Sequence, residues 1–132
     1  GVRFPSTEIK NEILDALEQA ASHSTVPDTW AELDTSRLME CMDTTDGVMA
    51  LFRHIQRTAV RCGMDEPGCF QVGGLSDSGI TVACGIPTVC AMGVRGEGNH
   101  TPTEYAEVES LFERCILAAC AAGSLEDGFT EQ

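Results

Sequence analysis

Gly73-Gly74-Leu75-Ser76-Asp77, then Cys84-Gly85-Ile86-Pro87-Thr88-Val89-Cys90-Ala91-Met92, then Gly93-Val94-Arg95-Gly96-Glu97-Gly98-Asn99-His100-Thr101-Pro102-Thr103-Glu104-Tyr105 are the blocks whose reading decides the fold. Ile86 to Met92 is a nearly continuous apolar run, the pattern of a strand covered on both faces. The glycine pair ahead of it reads as a tight strand-to-helix turn, with Ser76 or Asp77 capping a short helix that ends at Gly85. Behind it, Gly93, Gly96 and Gly98 crowd a long loop that ends on His100. A loop held by a buried strand can present an imidazole to a metal ion.

Working outward, Val2-Arg3-Phe4 reads as the end of a strand, and Pro5-Ser6-Thr7-Glu8 as a helix start with Ser6 or Thr7 as cap. Ile9, Ile13, Leu14 and Leu17 predict one face of a helix from about residue 7 to 21. Residues 22–29 are a polar connection, and residues 30–42 read as extended but irregular. Thr44-Thr45-Asp46 caps a second helix, lined by Val48, Leu51, Phe52, Ile55 and Ala59 and stopped by Gly63. Cys69-Phe70-Gln71-Val72 reads as a short strand. Ser110-Leu111-Phe112-Glu113 has the form of a capping box opening a last helix to about Ala122, before a polar, acidic tail from Ser124 to Gln132. This alternation predicts an α/β fold, a layered sheet with flanking helices.

The chain has 132 residues, enough for one modest core. Its 42% apolar and 22% charged content is that of a globular segment. A net charge of −13 repels phosphate backbones, so neither nucleic acid nor a membrane is expected as a partner. Seven cysteines, an odd number with no C-x-x-C, sit mostly among apolar residues. Buried free thiols in a reducing cytoplasm are the expected state, and the paired thiolates of a structural zinc site are missing.

The ordered blocks Gly73-Gly74-Leu75-Ser76-Asp77, Gly85-Ile86-Pro87-Thr88-Val89 and Gly96-Glu97-Gly98-Asn99-His100-Thr101-Pro102-Thr103-Glu104-Tyr105, closed by a helix, resemble the C-terminal end of the M20 family of zinc-dependent exopeptidases and amidohydrolases. That family includes peptidase T-like and carboxypeptidase G2-like enzymes. The likeness runs from Gly73 to about Ala122 and more weakly back to Val2. It implies that His100 ligates one of two zinc ions, with cobalt or manganese as alternative metals. It also implies that residues 1–36 are a remnant of a lid or dimerisation domain. Residues 37–132 would be the C-terminal part of a catalytic α/β domain.

Arg3 and Arg37 could each anchor a substrate carboxylate by a two-pronged guanidinium contact, although an ordinary surface ion pair serves an arginine equally well in so acidic a chain. Arg3, in Val2-Arg3-Phe4-Pro5, looks like the family's arginine before a proline-rich turn. Arg37 lacks the proline that usually follows its counterpart. Gly74 permits close approach of backbone amides to a substrate, Asn99 is placed to bond one, and Glu104 is expected to order the loop. Asp77 is expected to serve as a helix cap rather than a ligand, and His54, beside Arg53, as a solvated or partner-facing residue.

The family's H-x-D motif and its adjacent Glu-Glu pair occur nowhere in the chain, so no residue here is expected to be catalytic. The function implied is that of a C-terminal fragment of a metal-dependent hydrolase. It would cleave peptide or N-acyl amino-acid amide bonds and be inactive alone. The implied partners are a peptide or acylated amino-acid substrate, the missing N-terminal half, and further copies in a homo-oligomer; the implied compartment is the cytoplasm. A non-catalytic assembly or binding module that keeps the fold without the metals is the alternative.

Overall fold

A computed structural model describes residues 1–125. The helices are α1 (Thr7–Ser22), α2 (Asp46–Arg61), α3 (Ser78–Ala83) and α4 (Val108–Gly123), and the strands are β1 (Gly96–Glu97) and β2 (Tyr105–Ala106). The chain divides into two units. The first joins Gly1–Asp43 to Phe70–Ile86, and the second joins Thr44–Cys69 to the described residues from Pro87 onward. Most of the predicted acidic tail, residues 126–132, lies outside the described residues.

In the first unit, α1 begins where Ser6 turns extended and its Oγ accepts from the Ile9 N–H at 3.3 Å. The Thr7 N–H donates to Asp43 Oδ1 at 2.9 Å, so a carboxylate also answers the positive end of this helix. The predicted apolar face is only half covered: Ile9, Ile13 and Leu14 are intermediate and Leu17 is exposed. The buried residue of α1 is Lys10, whose stem is covered while its Nζ pairs with Glu40.

Glu40 also decides what can stand in α3. A Cβ placed on buried Gly79 would run into the Glu40 carbonyl oxygen and press on the Cys41 backbone. Alanine normally favours a helix over glycine by about 1 kcal/mol. Here a backbone obstacle opposes it, and overpacking costs about 1–3 kcal/mol. Gly79→Ala is therefore expected to destabilise the chain, read as a lower urea midpoint at unchanged slope; a higher midpoint would show that α3 does not approach this backbone.

The second unit is built on α2 against α4. Thr45 Oγ1 accepts from the Val48 N–H at 3.2 Å and opens α2. Gly63, at φ +75°, closes it: Met64 N–H reaches Ala59 O and Gly63 N–H reaches Val60 O, both at 3.0 Å. That pairing satisfies the last carbonyls of the helix and needs a left-handed residue, which glycine supplies without strain. Ile55 and Ala59 meet Leu117 and Ala121 in the core, and Leu51, Met64, Val89 and Met92 pack around them.

The layered α/β sheet with flanking helices is not formed. Among the described residues the sheet is a single antiparallel pair, with Gly96 opposite Ala106 and Glu97 opposite Tyr105. Val2-Arg3-Phe4, Cys69–Val72 and Ile86–Met92 carry no strand. Phe70 is 84% exposed, and Val72 and Ile86 are exposed as well. Ile86–Met92 shows why: Pro87 offers no N–H to a ladder, and Ala91 at φ +59° breaks the extended run. Val89 and Met92 are apolar because they cover the α2–α4 core from a loop, a role that periodicity does not separate from that of a buried strand.

Three smaller expectations are also corrected. Ser110 does not cap α4, which opens two residues earlier; it is fully buried, donates to Glu107 O at 2.6 Å and accepts from the Arg95 N–H at 2.8 Å. His54 is not merely solvated, because its Nε2 lies 3.0 Å from Ala121 O, one of the carbonyls that the end of α4 leaves open. The cysteines are free but mostly not buried. Cys41 is buried, Cys62 is intermediate, and Cys69, Cys84, Cys90, Cys115 and Cys120 are exposed.

Candidate functional site

The proposed site residues fall into the two units. In the first, Arg3 and the glycine pair come together across a sequence distance of 70 residues. Arg3 Nη1 donates to the Gly73 carbonyl, and the arginine stem lies 3.8 Å from where a Gly73 Cβ would stand. Gln71 Nε2 donates to Pro5 O at 2.9 Å and ties the same two segments again. The contact uses one donor of the Arg3 fork, and the guanidinium is exposed. Gly74 adjoins this contact and is exposed.

Arg37 lies in an exposed turn closed by Leu38 N–H to Thr35 O at 3.0 Å. The Ser36 N–H donates to Asp34 Oδ1 at 2.8 Å, and that bond, with help from the Ser36 hydroxyl, holds the Asp34 carboxyl below its usual range. Arg37 itself takes no part in a hydrogen bond or ion pair with the described residues.

In the second unit, Asn99 and His100 sit at the tip of the β1–β2 hairpin. His100 adopts φ +65°, a left-handed turn conformation that a side chain tolerates at some cost. Its N–H is 3.3 Å from Glu104 Oε2, so Glu104 orders the loop, as its position suggested. Thr101 Oγ1 donates to Gly98 O at 2.6 Å and braces the same turn. The His100 ring has no hydrogen-bond partner among the described residues and is exposed.

The donor set decides what this loop can hold. Among the described residues no group of three or more His, Cys, Asp or Glu side chains is placed to bind a metal ion. A catalytic zinc needs three protein ligands and an open position, and His100 with a nearby Glu104 falls short of that. The residues present do not fit a two-metal centre by themselves.

Sequence reading passed over Arg95 and Arg114, which carry no motif. Arg95 follows the loop's first glycine and fastens it to α4: its guanidinium is 3.1 Å from Glu107 and 2.9 Å from Glu113. Those carboxylates, Glu107 foremost, raise its already high pKa. No helix among the described residues is long and apolar enough to cross a membrane. No protein-family model, curated protein or solved structure matches the chain.

Proposed function

We propose that this chain is the C-terminal part of a metal-dependent hydrolase that cleaves peptide or N-acyl amino-acid amide bonds, and that it is inactive alone. The observation that carries this reading is His100, an exposed imidazole with no hydrogen-bond partner among the described residues, held on a braced turn inside the Gly96–Tyr105 block. In this reading the chain contributes one zinc ligand and part of the substrate pocket, and the other ligands and the general base come from sequence outside these 132 residues. A metal bound there would polarise the scissile carbonyl and supply hydroxide at neutral pH. Arg3, pinned to Gly73, and Arg37, in no ion pair among the described residues, are the arginines of the first unit suited to hold a substrate carboxylate.

A non-catalytic assembly module is the second reading, favoured by the apolar side chains that α4 leaves exposed. The two readings separate in one experiment. The purified chain, given zinc, cobalt or manganese and a panel of dipeptides and N-acyl amino acids, is expected to show no turnover. Co-expression with the polypeptide encoded immediately upstream, if that carries H-x-D and Glu-Glu motifs, is expected to restore chelator-sensitive hydrolysis. Chelator-sensitive turnover by the chain alone would defeat the first reading, and an inactive pair would favour the second.

A further inference from the structure

The second unit holds a cavity of about 320 Å3 between the turn that follows α2 and the middle of α4. That volume is at the lower end for small-molecule sites. Met64 gives it an apolar side, backed by the buried Ala59 and Leu117.

The charges around it are unevenly matched. Arg95 is committed to Glu107 and Glu113. Arg114 lines the same cavity, yet it makes no ion pair with the described residues, and its Nε is shielded from water with no hydrogen-bond partner among them. Asp65 and Glu66 line it as well, exposed and equally without an ion pair among the described residues. One guanidinium and two carboxylates, none of them in an ion pair among the described residues, therefore line a single, partly apolar hollow. A simple anion would be repelled by the three carboxylates of the wall, and a simple cation would leave Arg114 unanswered. A ligand that carries both charges, with an apolar body, answers every group at once.

We propose that this cavity binds a free α-amino acid with an apolar side chain. Its carboxylate docks on Arg114, its ammonium turns toward Asp65 and Glu66, and its side chain rests on Met64. A turn of the Arg114 side chain toward the bound carboxylate lets the guanidinium fork meet it in the two-pronged arrangement and gives the Nε–H, shielded in the free chain, an acceptor. The inference rests on the second unit alone and is independent of the hydrolase reading.

Calorimetric titration of the 132-residue chain with L-leucine tests it, against N-acetyl-L-leucine, which lacks the ammonium, L-leucinamide, which lacks the carboxylate, and inorganic phosphate. Leucine is expected to saturate one site, with each analogue and phosphate weaker by at least about tenfold. Arg114→Gln is expected to weaken leucine by about tenfold or more and to erase its advantage over leucinamide. The double variant Asp65→Asn, Glu66→Gln is expected to erase the advantage over N-acetyl-leucine. Both its positions are exposed, so it keeps the test decisive if Arg114→Gln fails to fold. The proposal is overturned if leucine does not saturate by about 10 mM. It is overturned equally if phosphate or either analogue binds as tightly as leucine, or if folded Arg114→Gln binds leucine unchanged.

Discussion

On the proposed hydrolase reading, replacing His100 in the full-length protein is expected to lower kcat by at least about 100-fold and to reduce the metal content, with the fold retained. Mutations that merely disturb a ligand's support cost 10- to 100-fold, so removing the ligand sets a higher floor. The choice of substitution matters, because His100 holds φ +65°. Asparagine tolerates that conformation better than alanine does, and it removes the imidazole just as fully. His100→Asn and His100→Ala are therefore expected to lose activity alike, while only His100→Ala loosens the hairpin. Metal analysis and steady-state kinetics of both variants decide the matter. If two ions stay bound and the rate is near that of the parent, His100 is a structural turn residue.

The second large effect is expected in association. On α4, Val108, Leu111, Phe112, Cys115, Ile116 and Ala119 recur at helical spacing, and all are exposed; Val108 is 68% and Phe112 65% accessible. The opposite side of the helix, at Leu117 and Ala121, is already packed on α2. A helix that is apolar on two faces is suited to lie between layers. With one layer unfilled, the isolated chain is expected to self-associate. Its charge of −13 opposes this, so added salt should promote association by screening repulsion beyond about 8 Å. Phe112→Glu with Ile116→Glu is expected to weaken association by about 30-fold or more, the effect of losing an interface anchor worth about 2 kcal/mol. Sedimentation velocity across concentration and salt measures this directly. A strict monomer throughout would remove the apolar face of α4 as a cause of assembly.

These two expectations differ in how far the sequence anticipates them. The turn that carries His100 was legible from its glycines, but the buried strand expected to hold that loop is not formed, and Glu104 and Thr101 brace it instead. That His100 stands without two further ligands is a spatial fact about the described residues. The contact of Arg3 with Gly73 joins segments 70 residues apart, and no local pattern announces it. Arg114 is a lone arginine on a helix, and that its Nε finds no acceptor among the described residues is visible only once the wall around it is assembled.

What the sequence determined by itself is the set of local punctuation marks. Ser6 and Thr45 open α1 and α2, and Gly63 closes α2, because a hydroxyl capping an N–H three residues on and a glycine at positive φ are settled within one turn of chain. The tertiary structure alone decided the rest. An apolar run such as Ile86–Met92 becomes a strand only if another segment offers it a ladder, and here Pro87 and the Ala91 backbone refuse one while Val89 and Met92 find cover on α2 and α4. Likewise the Ser110 hydroxyl accepts from the Arg95 N–H rather than from an N–H of its own helix, and His54 serves the carbonyl of Ala121. Each of those hydrogen bonds spans at least 15 residues of chain, a reach that packing supplies and local sequence pattern does not encode.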